Sequence, residues 1–156
     1  MVHKRYDSNG FTLIELMVVV AIIAFLSLIA VPVFTNFLNK AKRTEVYLNL
    51  GALHTAEKLF WAEHGHYSPV LTGADGIGWR PEGEPLYTYG FAGAEGINFV
   101  TGKLKAPGSA LAPYAKADQH GFTVVAVADI DGDGKLDIVT MDEGRQIKIV
   151  QDDCAT

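Results

Sequence analysis

Four aspartates in one short segment, Asp129, Asp131, Asp133 and Asp137, are the densest set of chemically capable side chains in the sequence. Counted from Asp129 they take positions 1, 3, 5 and 9, with Gly134 at position 6 to turn the chain sharply and the backbone carbonyl of Lys135 at position 7. A hard cation that takes about six or more oxygen ligands uses such a set, and calcium is the natural candidate. Position 12 is Thr140 in place of the bidentate Glu of an EF-hand, and the flanks read as strands, so the loop is not that motif. The competing reading is an acidic, glycine-rich turn whose Asp side chains satisfy their own backbone. If an ion is held, its effect is structural. It staples the C-terminal sheet of a chain whose single cysteine, Cys154, allows no internal disulfide.

Glu15 is the second residue that demands a chemical reason. It lies in the apolar run from Phe11 to Phe34, where an acidic or basic residue at the helix centre costs on the order of 2.5–3.5 kcal/mol. One reason is local: Thr12-x-x-Glu15 fits a capping box, and the helix dipole favours an acid in the first turn. The other needs a cut after Gly10, which would create a positive α-amine on Phe11 one helical turn from Glu15. A neighbouring copy's amine would then neutralise the carboxylate in an assembly.

Other chemistry has less support. His54, Glu57 and His64 can share a helix face, and His64-x-His66 is a possible metal pair, but no further Cys or His completes a tetrahedral set. No nucleophile elbow, phosphate loop, dinucleotide fingerprint or zinc-protease helix is present in the sequence, so no enzyme activity is expected. The net charge of −5 removes the electrostatic motive for nucleic-acid binding. With 49% hydrophobic and 20% charged residues in 156, a wholly disordered chain is excluded and one domain of ordinary size is expected.

The elements that must position these residues are legible in outline. As a helix, the roughly 24 residues from Phe11 to Phe34 would reach about 36 Å, enough to cross a hydrocarbon core of about 30 Å. A cleavable secretory signal fits poorly, because the run is longer than usual and no Ala-x-Ala site follows it. Lys4 and Arg5 favour a cytoplasmic N-terminus, while Lys40, Lys42 and Arg43 argue the opposite orientation. Pro32 should kink or locally melt the helix. Beyond Phe34 the pattern becomes amphipathic: Val46, Leu50, Leu53 and Phe60, with Ala56 and Trp61 nearby, form one stripe, and Lys40, Lys42, Arg43, Glu45, Lys58 and Glu63 can take the other side. The helix should end near His64-Gly65-His66. Residues 65–121 read as loops with short strands, including the alternating Leu86–Phe91. Residues 122–151 read as three antiparallel strands, the last two joined by the turn Asp142–Arg145. The expected fold is α+β, a long N-terminal helix with a transmembrane half and an amphipathic half, the latter packed on a small antiparallel C-terminal sheet.

Gly10-Phe11-Thr12-Leu13-Ile14-Glu15-Leu16-Met17, preceded by Lys4-Arg5 and followed by a long apolar helix with Pro32, resembles the N-terminus of type IV pilins and the related pseudopilins. The resemblance implies a leader of residues 1–10, a transmembrane and assembly helix over 11–34, and a periplasmic or extracellular head over 35–156. It implies that a prepilin peptidase cuts after Gly10 and methylates the new amine of Phe11, that Glu15 matches an adjacent subunit's N-terminal charge, and that Pro32 is the helix-bending proline. The implied partners are further copies of the chain, the peptidase, the membrane and the inner-membrane pilus or type II secretion assembly machinery. The implied location is the inner membrane, then a surface pilus or a periplasmic pseudopilus. One departure is the spacer Tyr6-Asp7-Ser8-Asn9 between the basic pair and Gly10. Removing the leader takes away two positive charges and one negative, moving the net charge from −5 to −6. Three functions follow: a pilus subunit, a type II secretion pseudopilin, and, from another class, a membrane-anchored calcium-binding module that never polymerises.

Overall fold

The computed structural model describes residues 10–154. Of the expected leader only Gly10 lies within them; Met1 to Asn9 lie outside the described residues. The elements follow the order α1 (Leu13–His64), β1 (Thr88–Gly90), β2 (Phe99–Val100), a single 3-10 turn (Gly108–Ala110), β3 (Lys116–Ala117), β4 (Phe122–Ala128), β5 (Asp137–Asp142) and β6 (Ile147–Gln151). The chain divides into two units, the first ending at Phe37 and the second beginning at Leu38.

Local chemistry sets both ends of α1. The Glu15 backbone N–H donates to Thr12 Oγ1 at 3.3 Å, which satisfies one of the donors that a helix start leaves unpaired. At the other end Gly65 takes a φ of 74° and donates its N–H to Trp61 O at 2.8 Å, the left-handed cap expected there. Helical structure is unbroken at Pro32, so the local melting anticipated there does not occur. The ring still removes the donor for the carbonyl of Leu28, and the Thr35 hydroxyl donates to Pro32 O at 2.9 Å.

In the second unit α1 buries Arg43, Val46, Leu50, Leu53, Glu57 and Phe60. Their spacing alternates between three and four residues and so keeps one face turned to the sheet. Arg43, read as part of the solvated side, belongs to this buried face, as does Glu57, and Trp61, expected near the apolar stripe, is 46% exposed.

The sheet is antiparallel in the order β2-β1-β4-β5-β6, with β3 also paired to β4. It therefore has more strands than the three read from residues 122–151. One of its cores joins Val46, Leu50 and Leu53 of α1 to Tyr89, Phe122 and Val124. A second, on the other face, gathers Phe99, Ala106, Leu111, Val125, Val127 and Ile138. Being covered on both faces, β4 carries a nearly continuous apolar run, Phe-Thr-Val-Val-Ala-Val-Ala, where a half-exposed strand would alternate. Each fully buried Val, Leu or Phe contributes roughly 1.5–3 kcal/mol.

Candidate functional site

The first candidate site is the apolar stretch of α1 up to Phe37. Its most apolar eighteen-residue window is long and apolar enough to cross a membrane, and none of it is buried. Leu13 is 76% exposed and Leu28 75%. Isolated apolar residues at a surface need no explanation, but a contiguous patch of this kind marks a lipid or protein contact. Gly10 and Phe11 precede the helix and are both exposed. Glu15 stands in the first turn, four residues from Phe11, and among the described residues it makes no ion pair. The N-cap half of the capping-box reading is present in the bond to Thr12.

The second candidate lies between β4 and β5, where Asp129, Asp131 and Asp133 converge with a residue the sequence reading missed, Asp153. One carboxylate oxygen from each of the four lies within 4.8 Å of those of the other three. Much of the loop's turn is built on these side chains. Gly132 and Gly134 donate their N–H groups to Asp129 at 2.8 and 3.0 Å, Asp133 to Asp131 at 3.2 Å, and Lys135 to Asp133 at 2.7 Å. Gly132 and Gly134 have φ of 84° and 91°, a region that favours glycine. Lys135 Nζ turns from the loop to donate to Asp152 O at 2.7 Å, and Lys42 Nζ on α1 donates to Ile130 O at 2.7 Å.

Asp137, grouped with the loop by its spacing, belongs elsewhere. It pairs with Ala128 at the root of the β4–β5 ladder, where its side chain is fully buried. Its carboxylate accepts Arg43 Nε at 3.0 Å and Nη2, the Tyr87 hydroxyl at 2.8 Å and the Asp153 N–H at 3.2 Å. The guanidinium also reaches Asp152. Burial opposes the Arg43 charge, but the hydrogen bonds of Asp152 and then Asp137 overcome it and raise the pKa above the ordinary arginine value. Burial, then the bond to Asp137, pushes the Tyr87 hydroxyl up. The Arg43 hydrogen bond lowers Asp152, while burial raises Asp153. The structure brings Asp129, Asp131 and Asp133 together but holds Asp137, the ninth position by spacing, on the buried Arg43, whose charge-assisted bonds tie up that carboxylate.

Among the described residues the histidines assemble no ligand set. His64 stacks on Phe60 with ring centroids 4.1 Å apart, His66 meets the same ring edge-on, and His54 Nε2 lies 3.1 Å from Glu143 O. Glu57 is fully buried: one oxygen accepts the Ser68 N–H at 3.2 Å and the other has no partner among the described residues. Burial pushes its pKa up to about 7, against the opposing Ser68 bond.

A membrane-length apolar helix with an acid in its first turn, continuing into an amphipathic half covered by a small antiparallel sheet, defines a pilin-like α+β protein. A profile described as the prokaryotic N-terminal methylation motif matches residues 5–31. The chain is 46% identical over 89 residues to a type IV major pilin protein, PilA, of Myxococcus xanthus, an alignment covering 57% of this chain and 39% of that one. It is 38% identical over 95 residues to prepilin peptidase-dependent protein D of Escherichia coli, covering 61% and 64%, and 42% identical over 72 residues to fimbrial protein EcpB of Eikenella corrodens, covering 46% and 45%. The chain thus spans less than two thirds of the length of each of these relatives. It is type IV pilin-like in both sequence and fold.

Proposed function

We propose that this chain is a structural subunit of a type IV pilus filament, cut between Gly10 and Phe11, methylated at the Phe11 amine, held in the inner membrane and then polymerised to the cell surface. The observation that carries the proposal is the helix up to Phe37, which leaves its large apolar side chains exposed around one carboxylate, Glu15. Lipid would cover that surface before assembly and the helices of neighbouring copies afterwards. A charge match between Glu15 of one copy and the Phe11 amine of another would remove the cost of the acid and fix the axial register of the polymer. Pro32 would let the helix bend as subunits leave the bilayer.

The relatives are named as major pilins and fimbrial proteins, which supports the pilus reading over a type II secretion pseudopilin and a structural role over an enzymatic one. Two measurements test it together: mass spectrometry of the subunit's first peptide and electron microscopy of sheared surface fibres. An N-methylated Phe11 on subunits recovered from fibres is the expected result. A native polypeptide that still begins at Met1, or that is absent from any fibre, would overturn the proposal.

A further inference from the structure

We propose that the β4–β5 loop and the C-terminal segment after β6 together form a calcium site, with Asp129, Asp131, Asp133 and Asp153 as its carboxylate ligands. The first observation is the convergence of these four side chains. Oxygens about 2.4 Å from a shared ion lie no more than about 4.8 Å from one another, and one oxygen from each aspartate meets that limit.

The second observation is independent of the loop. Asp153 is 1% exposed, and its Oδ2 accepts the Ile130 N–H at 3.0 Å while Oδ1 is buried without a hydrogen-bond partner among the described residues. A buried oxygen with no donor is costly, and more so beside other carboxylates. Of the cations around the loop, Lys135 Nζ donates to Asp152 O, Lys42 Nζ to Ile130 O, Arg43 pairs with Asp137 and Asp152, and Lys103 pairs with Glu84, while Lys105 lines a groove with Asp129 and Asp131 and makes no ion pair among the described residues. A bound cation would give the orphaned oxygen its partner and offset the mutual repulsion.

The donor set selects the ion. All four ligands are carboxylates, with neither imidazole nor thiolate among them, which suits a hard cation. Magnesium keeps most of its water shell and does not favour an all-protein set of carboxylates, whereas calcium accepts six to eight oxygens in irregular geometry. Water and a second oxygen of any ligand would fill the remaining positions. The ion would tie the chain end to the loop beside the Asp137 anchor. In a protein with one cysteine, it would do for the C-terminal edge what a cross-link does elsewhere.

The test uses the full chain in detergent micelles, stripped with EDTA and melted with added CaCl2 or MgCl2, alongside the variants D131N and D153N. We expect about 1 mM calcium to raise Tm by about 5 °C or more, magnesium at the same concentration to do less, and both variants to lose the response. D131N alters an exposed side chain and keeps the fold testable if D153N melts early even in EDTA. A Tm unmoved by calcium, an equal response to magnesium, or a calcium shift retained in either variant would overturn the assignment.

Discussion

Arg43 and Asp137 form a buried ion pair that fastens the amphipathic half of α1 to the first residue of β5, with the Tyr87 hydroxyl completing the carboxylate's bonds. Such a pair is weak support for stability when exchanged whole for apolar groups, but removing one partner leaves a charge stranded in low dielectric. D137N should therefore cost about 3 kcal/mol or more in urea unfolding of the detergent-solubilised chain. The double variant R43M/D137L should lose much less than the sum of the two single changes. Additive losses would mean that the two side chains act separately.

Glu57 gives stability a pH dependence that can be worked out from its sign. Its pKa is raised from 4.5 to about 7, so between these values the folded chain holds a proton that the unfolded chain has lost. The group's contribution is best below pH 4.5, falls as pH rises toward 7, and is level above that. E57Q removes the titration and can keep the Ser68 bond through its amide oxygen. It should raise stability at pH 8 by on the order of 1 kcal/mol, the leftover amide N–H offsetting part of the gain. Melting curves from pH 4.5 to 8 should converge for the two proteins at the acid end; curves that stay parallel throughout would refute the account.

Gly102 is held by close approach and not by an unusual φ. A Cβ built there would strike the carbonyl oxygens of Leu86 and Tyr87, both backbone atoms that cannot swing aside. The Gly102 N–H also donates to Thr88 Oγ1 at 3.2 Å, and Lys103 and Leu104 bond to Pro85 and Leu86. G102A should push this segment off β1 and cost about 1–3 kcal/mol, readable as a lower Tm. The same substitution at Gly132, whose Cβ would meet open space, meets no neighbouring atom, so its cost should come from its φ of 84° alone.

The sequence displayed what local pattern controls and hid what the chain's return path controls. The start and end of α1 were readable because Thr12, Glu15 and Gly65 act on their own neighbours. β4 to β6 were readable from β-branched runs, but the second core was not, because Phe99, Ala106 and Leu111 come from a glycine- and proline-rich stretch without period. Arg43 looked like a solvated cation by type; its burial depends on Asp137, 94 residues away. Asp153 was the residue most within reach of better reading. Once β5 and β6 are taken as a hairpin pairing Ile138 with Gln151, the residues just past Gln151 must return beside the loop that precedes β5.

Glu15 carries the last prediction. Its carboxylate is surrounded in sequence by apolar residues, and within the described chain it has only its helix end to favour it. If assembly supplies the missing cation from another copy's Phe11 amine, E15A subunits should remain inserted in the membrane and be trimmed to Phe11 as before. They should then fail to polymerise, with sheared fibre yield down by more than about tenfold, since a tenfold change needs only about 1.4 kcal/mol and pairing an acid within an apolar span exceeds that. E15Q keeps the size and the polarity but not the charge, so it should fail as well, which separates a need for charge from a need for shape. Fibre yield from E15Q matching the parent chain would remove the electrostatic basis of the assembly reading while leaving membrane anchoring by the apolar helix intact.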